Sequence, residues 1–212
     1  MEIYAWEESI INWARQLPHS GPLFQFFRFW SEYKLSFPIL FLLVVTLGIE
    51  FGWKKLVPPI LLSIFAATAG DLISFRVVKF LIERPRPAYI HEKLCNLSPC
   101  WGFVSSHCTN VAAVALILCL YNKRNIFWTV PSVIFVGLSR IYLIDHYPLD
   151  VIGGFALGIL IGLVIYMAYL QFQTVRERQP PCRTDGSLPS AMTFRRSTQA
   201  LIRSPCLLIR ER

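Results

Sequence analysis

The chain has 212 residues, 54% of them hydrophobic and only 16% charged, with a net charge of +8. That length suits one compact domain. The low charge and long apolar stretches exclude an ordinary soluble domain, in which about a quarter of residues are charged. From Arg176 onward there are eight Arg and three acids, so most of the positive charge sits in the tail. Such a tail suits anionic lipid at a membrane surface, and nothing elsewhere in the chain supports a nucleic-acid partner.

In chain order, residues 5–17 place Trp6, Ile10, Trp13 and Leu17 at helical spacing, with Glu7, Glu8, Asn12 and Arg15 mainly elsewhere. This predicts an amphipathic helix lying in the membrane interface. With Glu2, Glu7, Glu8 and Glu32 among the first 34 residues, no cleavable signal peptide is expected. The run 22–30 is too short to span a bilayer and continues the interfacial layer. Five spans are expected, at about 36–53, 57–78, 107–121, 126–143 and 149–172. Asp71 and Arg76 mark the second span's approach to something polar, and Pro131 kinks the fourth or sits near its first turn. Gly154, Gly158 and Gly162 line one face of the fifth and permit close helix contact. After Gln173, four prolines and scattered Arg predict disorder, with a last stretch able to lie on a membrane.

The fold class is therefore all-α: an integral-membrane helical bundle of about five transmembrane helices plus an N-terminal interfacial amphipathic helix. Its parts are 1–34, interfacial; 35–173, transmembrane; and 174–212, a basic cytoplasmic tail. Lys54-Lys55, the loop 122–125 and the tail fall on one side, which the positive-inside rule makes cytoplasmic. The loop 79–106 and the turn 140–150 fall on the other. Cys95 and Cys100 would then face an oxidising space, either free or as a disulfide, whereas Cys108 and Cys119 read as small buried hydrophobes. The sequence sets no oligomeric state.

Three polar clusters interrupt the apolar chain, all on that second side. Lys79, Arg84 and Arg86 lie just beyond the second span; Arg presents a planar fork that suits phosphate oxygens, and Lys a point charge. Ser105, Ser106 and His107 open the third span, where free backbone N–H groups and hydroxyls suit an anion and His107 can donate a proton. Ser139 to Asp150 supplies Arg140, His146 and Asp150. If a helix begins near residue 146, His146 and Asp150 share a face, and the carboxylate fixes the tautomer of a ring whose other nitrogen can attack. Asp145 reads as a turn or surface acid. Each cluster alone also fits a bland reading: snorkelling cations, a helix cap, a structural His–Asp pair. Together they supply the parts of an in-line phosphoryl transfer. No metal site is expected, because His19 and His91 lack ligand spacing and acids are scarce in the clusters.

These residues resemble the type 2 phosphatidic acid phosphatase superfamily, which includes glucose-6-phosphatases and vanadium haloperoxidases. Lys79, six residues, Arg86-Pro87 matches the first part of its signature. Ser139-Arg140, five residues, His146, three residues, Asp150 matches the third. The second part, Pro-Ser-Gly-His, is met by Val104-Ser105-Ser106-His107, with Val for Pro and Ser for Gly. The resemblance implies His146 as nucleophile, Asp150 as its orienter and His107 as acid, then base. It implies Lys79, Arg86, Ser105, Ser106 and Arg140 as phosphate-binding residues, with no cofactor. Arg84 matches no position of the signature and is read as a contact to a second phosphate or a lipid headgroup.

The implied substrate is a membrane lipid phosphate, with undecaprenyl diphosphate first. A lipid A 1-phosphate and phosphatidylglycerol phosphate are alternatives. The implied location is the bacterial inner membrane, with the site on the extracytoplasmic face. A reading of another class is a non-catalytic membrane protein that binds or transports anionic lipid, favoured only by the change from Gly to Ser106.

Overall fold

A computed structural model describes residues 3–32, 52–87 and 100–178. The described helices are α1 (Ala5–Gln16), α2 (Gly21–Ser31), α3 (Trp53–Ile82), α4 (Ser106–Tyr121), α5 (Ile126–Tyr142) and α6 (Pro148–Arg178). No strand forms among the described residues, apart from an isolated antiparallel bridge between Pro85 and Trp101. Save for its last two residues, the expected span 36–53 lies outside the described residues, as do Cys95 and the tail beyond Arg178.

The spans differ from expectation at their ends. α3 passes through a π-helical segment, Ser74–Val78, and regains α geometry at Lys79–Ile82. The helix therefore runs on past 78 and carries Lys79 within itself. It stops where Glu83 takes a left-handed backbone (φ 46°) ahead of the next proline. α6 starts on Pro148, whose missing N–H would be unpaired in a first turn anyway. It continues through Thr174 to Arg178, five residues beyond the expected onset of disorder, because no Gly or Pro interrupts it before Pro180.

α3 and α6, of 30 and 31 residues with mean hydropathy 1.8 and 2.4, are long and apolar enough to cross a membrane. α4, with 16 residues, and α5, with 17, are shorter. Large apolar side chains point outward along these helices, with Trp128 79% and Leu81 78% exposed. So much outward apolar surface suits a lipid environment.

Residues 3–169 form one unit, built on α4. Leu62 and Ala66 of α3 pack against Ala113 and Ile117, and Gly70 meets Thr109 and Asn110, so α3 and α4 run antiparallel. Across the other face of α4, Gly154 abuts Ser105 and Cys108, Gly158 abuts Thr109 and Ala112, and Gly162 abuts Ala113 and Leu116. α4 and α6 therefore run parallel, and the glycine stripe lets their backbones touch. Val136 and Ile141 of α5 close the core with Cys108, Val151 and Phe155. These directions bring the C-terminal ends of α3 and α5 to the same end of the bundle as the N-terminal ends of α4 and α6. Residues 170–212 belong to a second unit, of which the last turns of α6 are described.

α1 and α2 lie over this end. Ile11, Ala14 and Glu7 are the buried residues of α1, while Trp6 and Trp13 are 46% and 60% exposed. The apolar stripe legible in the sequence thus faces outward, and a neighbouring stripe containing an acid faces the protein. In α2, Phe27 stacks on Tyr142 and Trp30 on Phe135.

Candidate active site

The three polar clusters meet at that end. Residues 84–87 and 100–102 are clamped by two backbone hydrogen bonds, Arg86 N–H to the Cys100 carbonyl at 3.0 Å and Gly102 N–H to the Arg84 carbonyl at 2.6 Å. Cys100 is disulfide-bonded; Cys108 and Cys119 are free. The start of α4 is tied to α6 by Ser105 N–H, which donates to the Asp150 carbonyl at 3.0 Å.

Asp150 is fully buried at the centre of this joint. One carboxylate oxygen accepts from Arg84 at 2.6 Å; the other accepts from Tyr147 N–H at 3.0 Å and lies 3.6 Å from His146 Nδ1. The last distance exceeds a hydrogen bond, and Nδ1 is buried with no hydrogen-bond partner among the described residues, so a small ring movement would complete the pair. His146 precedes α6 in a tight turn. There Ile144, a β-branched residue, adopts a left-handed backbone (φ 61°), a costly conformation of the kind that gathers at functional sites. Burial lowers the pKa of His146, outweighing Asp150, and the charges of Arg86 and Lys79 lower it further.

Around this pair lie the other expected residues. Lys79 is buried, with Nζ 5.5 Å from the Phe75 ring centroid. Arg86 is half-buried and donates from Nε to the Trp101 carbonyl at 3.1 Å. Ser105 is buried at the N-cap of α4, its hydroxyl without a hydrogen-bond partner among the described residues. His107, one residue into α4, is exposed and feels the charges of Arg140, His146, Lys79 and Arg86. Arg140 is buried; its terminal nitrogens donate to the Ser31 carbonyl at 2.7 Å and to Asp145 at 3.1 Å. Asp145 thus sits in the turn, as expected, and also holds Arg140.

Two expectations change. Arg84 does not face a second phosphate or a headgroup: it is fully buried between Asp150 and Glu7, both within ion-pair reach. Burial works against its charge, but the two carboxylates win and its pKa is raised. Ser106 leaves the site intact. Its hydroxyl accepts from Ser74 at 2.9 Å, so the π-helical segment of α3 absorbs the side chain that replaces glycine.

Three further residues shape the site without a signal in the sequence. Glu7 was read as part of a polar helix face. Ser74 sat inside an apolar span. Gly102 lies beside the carboxylate, where an added Cβ would stand 2.7 Å from Asp150 Oδ2. A groove of about 550 Å³ between α3 and α4, lined by Asp71, Arg76 and Asn110 among others, contains none of the expected site residues.

A model of the PAP2 superfamily matches residues 60–173. The chain belongs to the PAP2 superfamily. The match contains every site residue named from the sequence. Undecaprenyl-diphosphatase BcrC of Bacillus subtilis is 31% identical over 153 residues, 70% of this chain and 76% of that one. Lipid A 4'-phosphatase of Porphyromonas gingivalis is 38% identical over 72 residues, 33% of this chain and 30% of that protein. A crystal structure of a transmembrane PAP2 type phosphatidylglycerolphosphate phosphatase from Bacillus subtilis shares the fold, with a TM-score of 0.56 at 24% identity, over 79% of this chain and 86% of that one. As a PAP2 lipid phosphatase the protein is an integral-membrane hydrolase of phosphoric esters. The non-catalytic reading is set aside: its one support, Ser106, is accommodated by Ser74.

Proposed function

We propose that the protein hydrolyses undecaprenyl diphosphate to undecaprenyl phosphate through a phosphohistidine at His146, without a metal. The observation that carries the mechanism is the buried His146–Asp150 pair set among Lys79, Arg86, Ser105 and Arg140 at one end of the bundle. With Nδ1 turned to Asp150, Nε2 of the neutral ring attacks phosphorus. The bond from phosphorus to the leaving oxygen breaks, and His107 gives that oxygen its proton. His107, now neutral, takes a proton from water; the water oxygen attacks phosphorus, the phosphorus–nitrogen bond breaks, and phosphate leaves. Lys79, Arg86, Arg140 and the N-terminal N–H groups of α4, with the Ser105 hydroxyl, hold the oxygens on which charge builds.

The choice of lipid is supported by the similarity to undecaprenyl-diphosphatase BcrC, which extends over more than two thirds of each chain. A lipid A phosphate is the second reading, favoured by the higher identity of the shorter match. The site belongs on the extracytoplasmic face of a bacterial inner membrane, opposite the basic turns at Lys54-Lys55 and Lys123-Arg124. Purified protein in detergent is expected to release phosphate from undecaprenyl diphosphate with a chelator present, and faster than from lipid A or phosphatidylglycerol phosphate. His146→Ala is expected to abolish release. Full activity in that variant would overturn the mechanism, a need for divalent ions its metal-free part, and preference for another lipid the assigned substrate.

A further inference from the structure

Glu7, Arg84 and Asp150 form a continuous buried chain from the N-terminal helix to the carboxylate beside His146. All three side chains are fully buried. Arg84 uses one terminal nitrogen for Asp150, at 2.6 Å, and the other for Glu7. Its guanidinium lies over the Tyr147 ring, 4.9 Å from the centroid. The second oxygen of Glu7 accepts from Leu149 N–H at 3.1 Å. Leu149 is in the first turn of α6, whose N–H groups lack partners within the helix. Glu7 thus caps, from a distant part of the chain, the helix that carries Asp150.

We propose that Glu7 and Arg84 are positioning residues, and that through them the N-terminal helix sets both the place and the charge of the carboxylate that orients His146. The inference rests on His146 being the nucleophile. Burying charged groups is costly, and a buried pair of Arg84 and Asp150 would already be neutral. A neutral pair would hold Asp150 firmly but would give little electrostatic support to His146. When Nε2 takes the phosphoryl group, the ring becomes cationic and keeps its proton on Nδ1, facing Asp150. Two carboxylates about one guanidinium leave one negative charge beside that ring. Glu7 supplies it. Glu7 belongs to α1 and acts through Arg84, so its effect falls on turnover rather than on substrate binding.

The test compares full-length variants in detergent with undecaprenyl diphosphate, reading kcat, KM and thermal stability together. Glu7→Gln keeps the length and the acceptor for Leu149 N–H but removes the charge; kcat is expected to fall about tenfold or more with KM within about twofold. Glu7→Asp keeps the charge and loses reach, so it should lose stability yet turn over faster than Glu7→Gln. Glu7→Gln combined with Arg84→Gln restores one net negative charge, and should exceed Glu7→Gln alone by about threefold or more. A purely structural role gives the reverse order: Gln at least as active as Asp, and the double variant worse than the single. Either result overturns the proposal. If Glu7→Gln does not fold, the double variant, whose one buried negative charge is Asp150 itself, decides. A kcat within about tenfold of wild type supports the proposal, and a loss as complete as that of His146→Ala overturns it. The controls separate two failures. An inactive wild type, or an active His146→Ala, removes the functional reading and this inference with it. An active wild type, a dead His146→Ala and an unaffected Glu7→Gln remove this inference alone.

Discussion

At the scale of single residues, space and charge around Asp150 are set by groups that do no chemistry themselves. Gly102 is the tightest case, since an added Cβ would lie 2.7 Å from Asp150 Oδ2 and 3.4 Å from Arg86 Cγ. Gly102→Ala is therefore expected to push the carboxylate off His146 and to lower kcat by about tenfold or more, with the protein still folded, as kinetics and thermal melting together would show. His146 yields a prediction with a definite sign. Burial lowers the pKa of its ring in the folded state, so below the ordinary histidine value of about 6.5 the unfolded chain takes a proton that the folded chain refuses. Stability must then fall as pH drops from about 7 toward the lowered folded value. The deficit of wild type relative to His146→Gln should grow across that window, measured by thermal unfolding in detergent. The same shift favours the neutral ring of His146, the form that the proposed attack on phosphorus requires.

Between elements, the governing contact is backbone against backbone. Gly158 of α6 faces the Thr109 carbonyl of α4, and a Cβ there would sit 2.2 Å from that oxygen. A backbone carbonyl inside a helix cannot turn aside, so Gly158→Val must separate the two helices. The cost should exceed the roughly 1–3 kcal/mol of ordinary overpacking, and little folded protein should be recovered by size-exclusion chromatography in detergent. The same helix pair carries Ser105 and Asp150, so the glycine stripe is also what holds the two halves of the site together. Ser74 and Ser106 show the opposite arrangement. Where a side chain stands in place of the glycine of the motif, a partner hydroxyl from α3 receives it, and the α3–α4 contact is kept.

For the whole molecule, the antiparallel and parallel helix directions put the polar residues at one end and the basic turns at Lys54-Lys55 and Lys123-Arg124 at the other. Positive charge is retained on the cytoplasmic side. A reporter fused after Gln173 is expected to read cytoplasmic; an extracytoplasmic signal would place the site on the inner face and change which pool of lipid it meets. α1 and α2 lie across the site end with Trp6 and Trp13 outward, an arrangement suited to the headgroup layer, where a phosphate on a lipid tail would reach the site.

The sequence by itself determined the class of the molecule and the reaction its residues are suited to. Membrane burial demands long apolar helices, and these are read directly from hydropathy, as α3 and α6 were. A phosphate site demands a few residue types, and the three polar clusters that hold Lys79, Arg86, Ser105, His107, Arg140, His146 and Asp150 stand out from the apolar chain, while the separate role of each is what the family resemblance implies. Tertiary structure decided what depends on contact between distant segments. Glu7 is adjacent in sequence to Glu8, yet one is buried and the other exposed, because helix period places only Glu7 toward Arg84. Arg84 has the same composition-level signature as Arg86, and only packing turns it inward to Asp150. Apolar patterning marked the Trp6 and Trp13 stripe of α1 as a membrane-facing one, and only packing showed that Glu7, Ile11 and Ala14 form the stripe that faces the protein. The helix end at Ile82 likewise followed from where hydrogen bonding could continue, which hydropathy does not measure.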